Sequence, residues 1–359
     1  MWTTLGEVIS IKSGNAIKVR NNKNGSFPIY GGNGISGYSD EYNIDKPTIV
    51  IGRVGFYCGS IHYVKSKVWV TDNAFITSIY GNVYDIDFLY YLLTYCNLRQ
   101  YSNSTAQPVI SGKTIYPVHV PVPPIKEQRK IVEKIEFWLS CISQLEFSQS
   151  KVKSTIKQVK SKILDLAIHG KLVQQDPNDE PASELLKRIN PKAEITCDTP
   201  QYGKLPKGWC LCKISSVVDI VNGKSQKNVE SPTGKYPIYG SGGIIGKAME
   251  YTCLAGSTII GRKGTINHPI FVEENFWNVD TAFGMKANNQ ILEDKYFYCF
   301  CLYFDFSKLD KSSALPSLTK TVIGNLILPI PPLAEQQRIV AKIEELFSQL
   351  DKIESSLQA

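Results

Sequence analysis

Two sets of residues in this chain of 359 have the types and spacing to contact a nucleic acid. The first is Lys12, Ser13, Asn15, Lys18 and Arg20, followed by Tyr30, Asn33 and Arg53; the second is Asn222, Lys224, Gln226 and Lys227, followed by Tyr239, Arg262 and Lys263. Lys and Arg hold phosphates or the acceptor edge of guanine, and Asn and Gln pair with adenine in the major groove. In both sets these side chains alternate with glycines and aromatics, which puts them on tight turns. Arg53 and Arg262 each stand between glycines, in Gly52-Arg53-Val54-Gly55 and Gly261-Arg262-Lys263-Gly264, where a backbone can approach a ligand closely. An arginine so placed can equally be buried to brace the turns.

Other chemistries are poorly served. Gly32-Asn33-Gly34-Ile35-Ser36-Gly37 fits the G-x-G-x-x-G of dinucleotide sites, but its counterpart begins with Ser241 and neither stretch opens a helix, so both read as turns. Glu293-Asp294-Lys295, downstream of Asp280, has the acidic-acidic-lysine order of magnesium nucleases. The aligned Asp85-Ile86-Asp87 lacks the lysine, and a solvated helix start explains the sequence better. There is no Walker loop, no nucleophile elbow and no H-E-x-x-H. The Pro-Pro steps follow Val122 and Ile330, not the Asn or Asp of an adenine-methyltransferase loop. No catalytic residue is therefore expected. Histidines scattered at 62, 119, 169 and 268 make no metal set, and nine cysteines without framework spacing read as reduced core thiols.

The net charge of +7 is unevenly placed: +3 over 1–121, +5 over 122–171, −3 over 172–203, +4 over 204–331 and −2 over 332–359. Three basic blocks suit a polyanionic partner. A composition 43% hydrophobic and 20% charged is that of a globular protein. No apolar run approaches the ~18 residues of a membrane span. The opening MWTTLGEVISIK has no basic segment followed by a long apolar one, so a cytoplasmic location is expected.

The elements that must position these residues occur twice. Pro28-Ile29-Tyr30-Gly31 recurs as Pro237-Ile238-Tyr239-Gly240, and Gly52-Arg53-x-Gly55 as Gly261-Arg262-x-Gly264, both at an offset of 209. After one deletion the offset is 208, carrying Trp69 to Trp277, Asp72 to Asp280, Pro123-Pro124 to Pro331-Pro332 and Glu127-Gln128 to Glu335-Gln336. One register over so long a stretch makes the chain two copies of one unit. Within each copy, β-branched runs such as Thr48–Ile51 and Thr258–Ile260 end at glycines as strands do, and helical stretches follow at Asp87–Leu98 and Lys295–Phe304. Anchors such as PIYG and GRxG are kept, whereas Asn15–Phe27 and Lys224–Tyr236 share little, so one scaffold presents two different surfaces.

From Pro124 to His169 the pattern is helical. Val132, Ile135, Leu139 and Ile142 alternate spacings of three and four, and after a slip the seam resumes at Val152, Ile156, Val159, Ile163 and Leu166. At about 1.5 Å per residue such a helix spans about 69 Å. The second copy repeats the seam at Val340, Ile343, Phe347 and Leu350. Two related seams predict helices that run antiparallel as mates; the alternative is that each packs on its own domain. Gly170 stops the central helix, and the acidic linker that follows leads into a short helix over Ala182–Ile189. The expected fold is α+β: two similar mixed α/β recognition domains, 1–121 and 204–330, separated by two long antiparallel helices, 122–170 and 331–359, in an intramolecular coiled coil, with an acidic linker at 171–203. The repeat makes the arrangement pseudo-twofold.

These residues resemble the specificity (S) subunits of type I restriction–modification systems. The resemblance rests on Tyr30-Gly-Gly-Asn-Gly34, on the helix openings Val122-Pro-Pro-Ile-Lys-Glu-Gln-Arg-Lys-Ile-Val132 and Ile330-Pro-Pro-Leu-Ala-Glu-Gln-Gln-Arg-Ile-Val340, and on Ile163-Leu-Asp-Leu-Ala-Ile-His-Gly-Lys-Leu-Val173. It implies that each domain reads one half of a bipartite double-stranded DNA target. It also implies that the helices dock two methyltransferase (M) subunits, with Glu127, Gln128, Glu335 and Gln336 as partner-binding residues, and that restriction (R) subunits join through the M subunits. The chain itself needs no cofactor on this resemblance; S-adenosylmethionine, ATP and magnesium belong to its partners, and no membrane is involved. A helical scaffold that assembles protein partners without reading DNA is the rival. The second helix ends at Ala359, some twenty residues short of the first, so either its distal arm is naturally abbreviated or the chain is truncated there.

Overall fold

The computed structural model describes residues 1–17, 25–103, 107–196, 201–309 and 318–357. Lys18 and Arg20 lie outside them. The chain divides into two compact units, Met1–Glu146 and Phe147–Ala359.

In the first unit, Ile9–Ser13, Ala74–Ile79, Thr48–Gly52 and Ile61–Val64 form, in that spatial order, an antiparallel sheet. Thr48–Gly52 is buried on both faces, which its run of β-branched residues anticipates. Ile49 and Ile51 pack with Phe88, Leu89 and Leu93 of the helix Ile86–Tyr95, and Val50 points the other way into a small cluster with Val64, Val70 and Tyr30. Over that second face lies a three-stranded sheet, with Phe27–Gly31 between Gly34–Ser39 and Trp69–Val70.

The second unit repeats this plan. Its sheet runs Val218–Asn222, Ala282–Ala287, Ser257–Gly261, Ile270–Val272. Ile260 joins Phe283, Phe297 and Phe300 on the side of the helix Asp294–Tyr303, while Ile259 joins Val272 and Phe276 on the other. Even the irregularity is duplicated: the register slips between Ile29 and Tyr30 and again between Ile238 and Tyr239. The α+β class and the internal repeat are thus both present, with helix boundaries within three residues of those expected.

The long helix runs Ile125–Ile168 and the C-terminal one Leu333–Ser356. Gly170, at φ +65°, closes the first: Lys171 N donates to Leu166 O at 2.8 Å, and a Cβ on Gly170 would lie 2.3 Å from Pro206 Cγ. Within the second unit the two helices run antiparallel. Gln149 Nε2 donates to Leu357 O at 3.2 Å, and further along Lys160 pairs with Asp351 and sits 5.5 Å over the Phe347 ring.

The seam residues divide differently from the expected set of mates. Val340 and Ile343 are buried in the core of their own domain, with Ile163, Leu164 and Ala167 of the long helix in the same cluster. Val132 likewise joins the core of the first domain. Phe347 and Leu350 pack more shallowly, while Leu139 and Ile142 remain 47% and 49% exposed. Ile135 borders a shallow depression with Lys134, Trp138 and Leu139. A heptad pattern requires only an apolar neighbour, and the near ends of both helices find it in their own domains. The linker is more than a spacer: Ala182 and Leu186 of its helix Ala182–Ile189 enter the second core, and Asp179 pairs with Arg338 at 2.6 Å.

Candidate nucleic-acid interface

In the first unit four turns converge at one rim. Gly14 N donates to Ala74 O (3.1 Å), Asn15 N to Val70 O (3.0 Å), Arg53 N to Asn73 O (2.9 Å) and Thr71 N to Tyr30 O (2.9 Å). The approach needs glycine: a Cβ on Gly14 would lie 2.2 Å from Val70 O, and one on Gly52 2.4 Å from Gly32 O. Ser13, Asn15, Tyr30, Asn33 and Arg53 are thereby gathered. The Arg53 guanidinium donates to Ser13 Oγ at 2.8 Å and to Asp72 O at 3.4 Å, and stands 5.5 Å over the Phe75 ring. It is half-buried and held, with donors remaining for a ligand. Tyr30 meets the His62 ring edge-on at 5.8 Å, and burial lowers the His62 pKa. Lys12 is exposed beside a recess shared with Asn15, Asn43 and Lys46.

The second unit builds the same rim on the same backbone bonds. Lys224 N donates to Asn278 O (2.8 Å), Arg262 N to Thr281 O (2.8 Å), Lys263 N to Thr281 O (3.3 Å) and Val279 N to Tyr239 O (3.0 Å). Asn222, Lys224 and Lys263 are exposed and Arg262 half-buried. Arg262 lies 6.0 Å from the Phe283 ring, the position Arg53 takes over Phe75. Tyr239 packs edge-on against Phe276 at 5.4 Å, and burial raises its phenol pKa. Gln226 accepts from Val229 N and Glu230 N through its carbonyl and, with Lys227, starts the divergent loop away from these bonds.

A staple that the motif reading missed fixes both rims. Trp69 Nε1 donates to Asn15 O at 3.0 Å, and Trp277 Nε1 to Lys224 O at 3.2 Å. The two indoles were visible as repeat anchors. Their function was not, because the acceptors are backbone atoms more than fifty positions away.

Three of the four residues assigned to partner binding are instead internal. Gln128 and Gln336 are 0% exposed and Glu335 1%. Gln128 Nε2 donates to Val83 O and Pro123 O, and its Oε1 accepts from Asp85 N, each at 2.8 Å. Gln336 does the same with Ile291 O, Pro331 O and Glu293 N, at 2.8 to 2.9 Å. Only Glu127 is exposed, beside the depression that holds Trp138. Glu293 and Asp294 likewise act in the fold, since Glu293 caps its helix through Tyr296 N at 2.6 Å and Asp294 pairs with Lys286. Among the described residues no group of His, Cys, Asp or Glu is arranged to hold a metal, and no helix is long and apolar enough to cross a membrane. Burial pushes the thiols of Cys212 and Cys299 up to about 12, as for inert core cysteines.

The fold and the two rims define a class of protein in which one α+β domain with an attached helix is built twice. A family model described as the type I restriction modification DNA specificity domain matches residues 2–158 and again 206–359, and the chain belongs to that family. The type I restriction enzyme EcoprrI specificity subunit of Escherichia coli is 29% identical over 171 residues, 45% of this chain and 41% of that protein. The EcoDI specificity subunit of the same species is 21% identical over 383 residues, covering 99% of this chain and 83% of that one. The chain spans less than half the length of EcoprrI and of the EcoAI and EcoEI subunits, at 41%, 46% and 47%. A chain from a solved structure on complex assembly and conformational transition of the type I restriction–modification system has the same fold, with a TM-score of 0.69, 17% identity, and coverage of 100% of this chain and 92% of that one.

Proposed function

We propose that the chain is the DNA-reading specificity subunit of a type I restriction–modification complex. Each domain reads one half of a bipartite duplex target, and the helices dock two methyltransferase subunits, through which restriction subunits join. The chain has no catalytic part of its own. S-adenosylmethionine, ATP and magnesium act in its partners, and the complex works in the cytoplasm.

The observation that carries this reading is the duplicated rim. Arg53 and Arg262 hang from the same backbone bond above equivalent phenylalanines, while the side chains around them differ between the units. That is the arrangement an asymmetric two-part target requires, since phosphate contacts can be common to the halves and base contacts cannot. The exposed apolar residues about Trp138 and Leu139 give the helix a surface for a protein partner.

Methylation by the cognate methyltransferase subunit, measured with and without this chain, tests the reading. Sequence-specific adenine methylation should require the chain, and methylation unchanged by its absence refutes the proposal. DNA affinity that does not fall as salt rises favours the scaffold instead.

A further inference from the structure

The loop that follows Arg53 carries a feature the second unit lacks. Cys58 N donates to Gly55 O at 2.9 Å, closing a turn whose two central residues are Phe56 and Tyr57. The turn is clamped on every side. Gly55, at φ +89°, donates through its N–H to Pro108 O (2.9 Å), Gly59 N donates to Gly52 O (2.7 Å), and the Cys58 side chain is buried in the core. At its tip the Phe56 ring is 67% exposed. It is also supported: the Tyr57 ring meets it edge-on at 5.0 Å, and the Arg99 guanidinium lies 4.5 Å over its centroid. An apolar ring this exposed, three residues beyond the rim arginine and faced by the Arg99 guanidinium, belongs to none of the domain's buried clusters. After the shared glycine the second unit has Thr265, and Ile266 turns inward to be buried.

Proteins that deform duplex DNA insert such rings between base steps, with cations on the adjoining phosphates. We propose that Phe56 is a wedge that opens a base step in the half-site read by the first domain, with Arg99 swinging from the ring face to the flanking phosphates and Arg53 on the adjoining backbone, and that the second half-site is read without this distortion. This rests on the DNA reading above. The asymmetry makes the first half-site sensitive to the stiffness of its sequence as well as to its base edges.

The test uses the full chain assembled with its methyltransferase subunits on a duplex bearing the mapped target, with 2-aminopurine substituted in turn through both halves, leaving out the methylated adenines and their immediate neighbours, which the methyltransferase itself unstacks. Fluorescence should rise several-fold at one step of the first half and nowhere in the second. Phe56→Ala should abolish the rise and weaken binding on the order of tenfold, while Phe56→Leu keeps part of both. A rise that survives Phe56→Ala, or an equal rise in the two halves, overturns the wedge. So does Phe56→Ala releasing the methyltransferase while the rise persists, which makes the ring a protein contact. If the wild-type assembly shows no salt-dependent binding to the target, the DNA reading fails and the wedge with it.

Discussion

The Trp209 indole donates a 3.0 Å hydrogen bond to Glu335, whose second carboxylate oxygen accepts from Gln175 at 2.6 Å. A carboxyl group at the head of the C-terminal helix, placed by sequence among the partner contacts, is therefore enclosed by its own chain. The linker, through Gln175, and the opening of the second domain, through Trp209, are both tied by it to the helix that follows that domain.

Stability should fall as pH rises through the titration of this group. Burial raises the Glu335 pKa above its ordinary 4.5, outweighing the bonds from Trp209 and Gln175 that favour the ion. The folded state then keeps a proton that the unfolded chain releases, so the contribution is full below 4.5 and is lost as pH climbs through the raised value. Burial raises Glu293 with the same sign. Glu335→Gln, which keeps an acceptor for the indole, should shrink the slope of unfolding free energy against pH without removing it; an unaltered slope excludes Glu335 as its source.

Gln128→Leu and Gln336→Leu each leave one buried backbone N–H and two carbonyls without their side-chain partner. Each substitution should cost about 1–3 kcal/mol in denaturant unfolding. Equal stability of variant and wild type would mean that water replaces the amide.

In the antiparallel pair of the second unit, packing should outweigh charge. Asp351→Asn removes a partly exposed ion pair with Lys160 and should cost less than about 1 kcal/mol. Ile343→Ala empties a buried site and should cost about 2–5 kcal/mol. The opposite ranking in thermal unfolding would show that the salt bridge governs the pairing.

Arg53→Ala and Arg262→Ala should each weaken target binding by about 1–3 kcal/mol if the guanidinium reads a base. Methylome mapping should show specificity relaxed in one half only, a different half for each variant. Unaltered binding by a folded variant makes that arginine a brace for the rim turns.

Exchange of residues 1–121 for the matching domain of another family member should change the bases recognised in one half of the target. Changes in both halves would contradict independent reading.

The repeat was legible because glycine and proline positions leave little freedom. Gly14 and Gly52 cannot take a side chain without meeting backbone oxygens, so they stay in register while the loops between them drift. The helix Ala182–Ile189 was read to the residue, and the helix Ile86–Tyr95 within three at its end. What escaped was decided by distant backbone. Glu-Gln at a helix head looks solvent-facing until Val83 and Asp85, or Ile291 and Glu293, are brought to it. A seam such as Val132–Ile142 states that an apolar neighbour exists but not which one, and Val132 found its neighbour in its own domain. Phe56 stood out in no motif, since its exposure depends on the clamped turn beneath it.

Each glutamine joint between helix and domain engages only main-chain N–H and C=O groups. Substitutions across the joining loop leave those groups where they are, provided the backbone path is kept. On the function proposed above, a reading head can therefore be rewritten while its attachment to the helix is kept, so that a changed specificity needs no new joint.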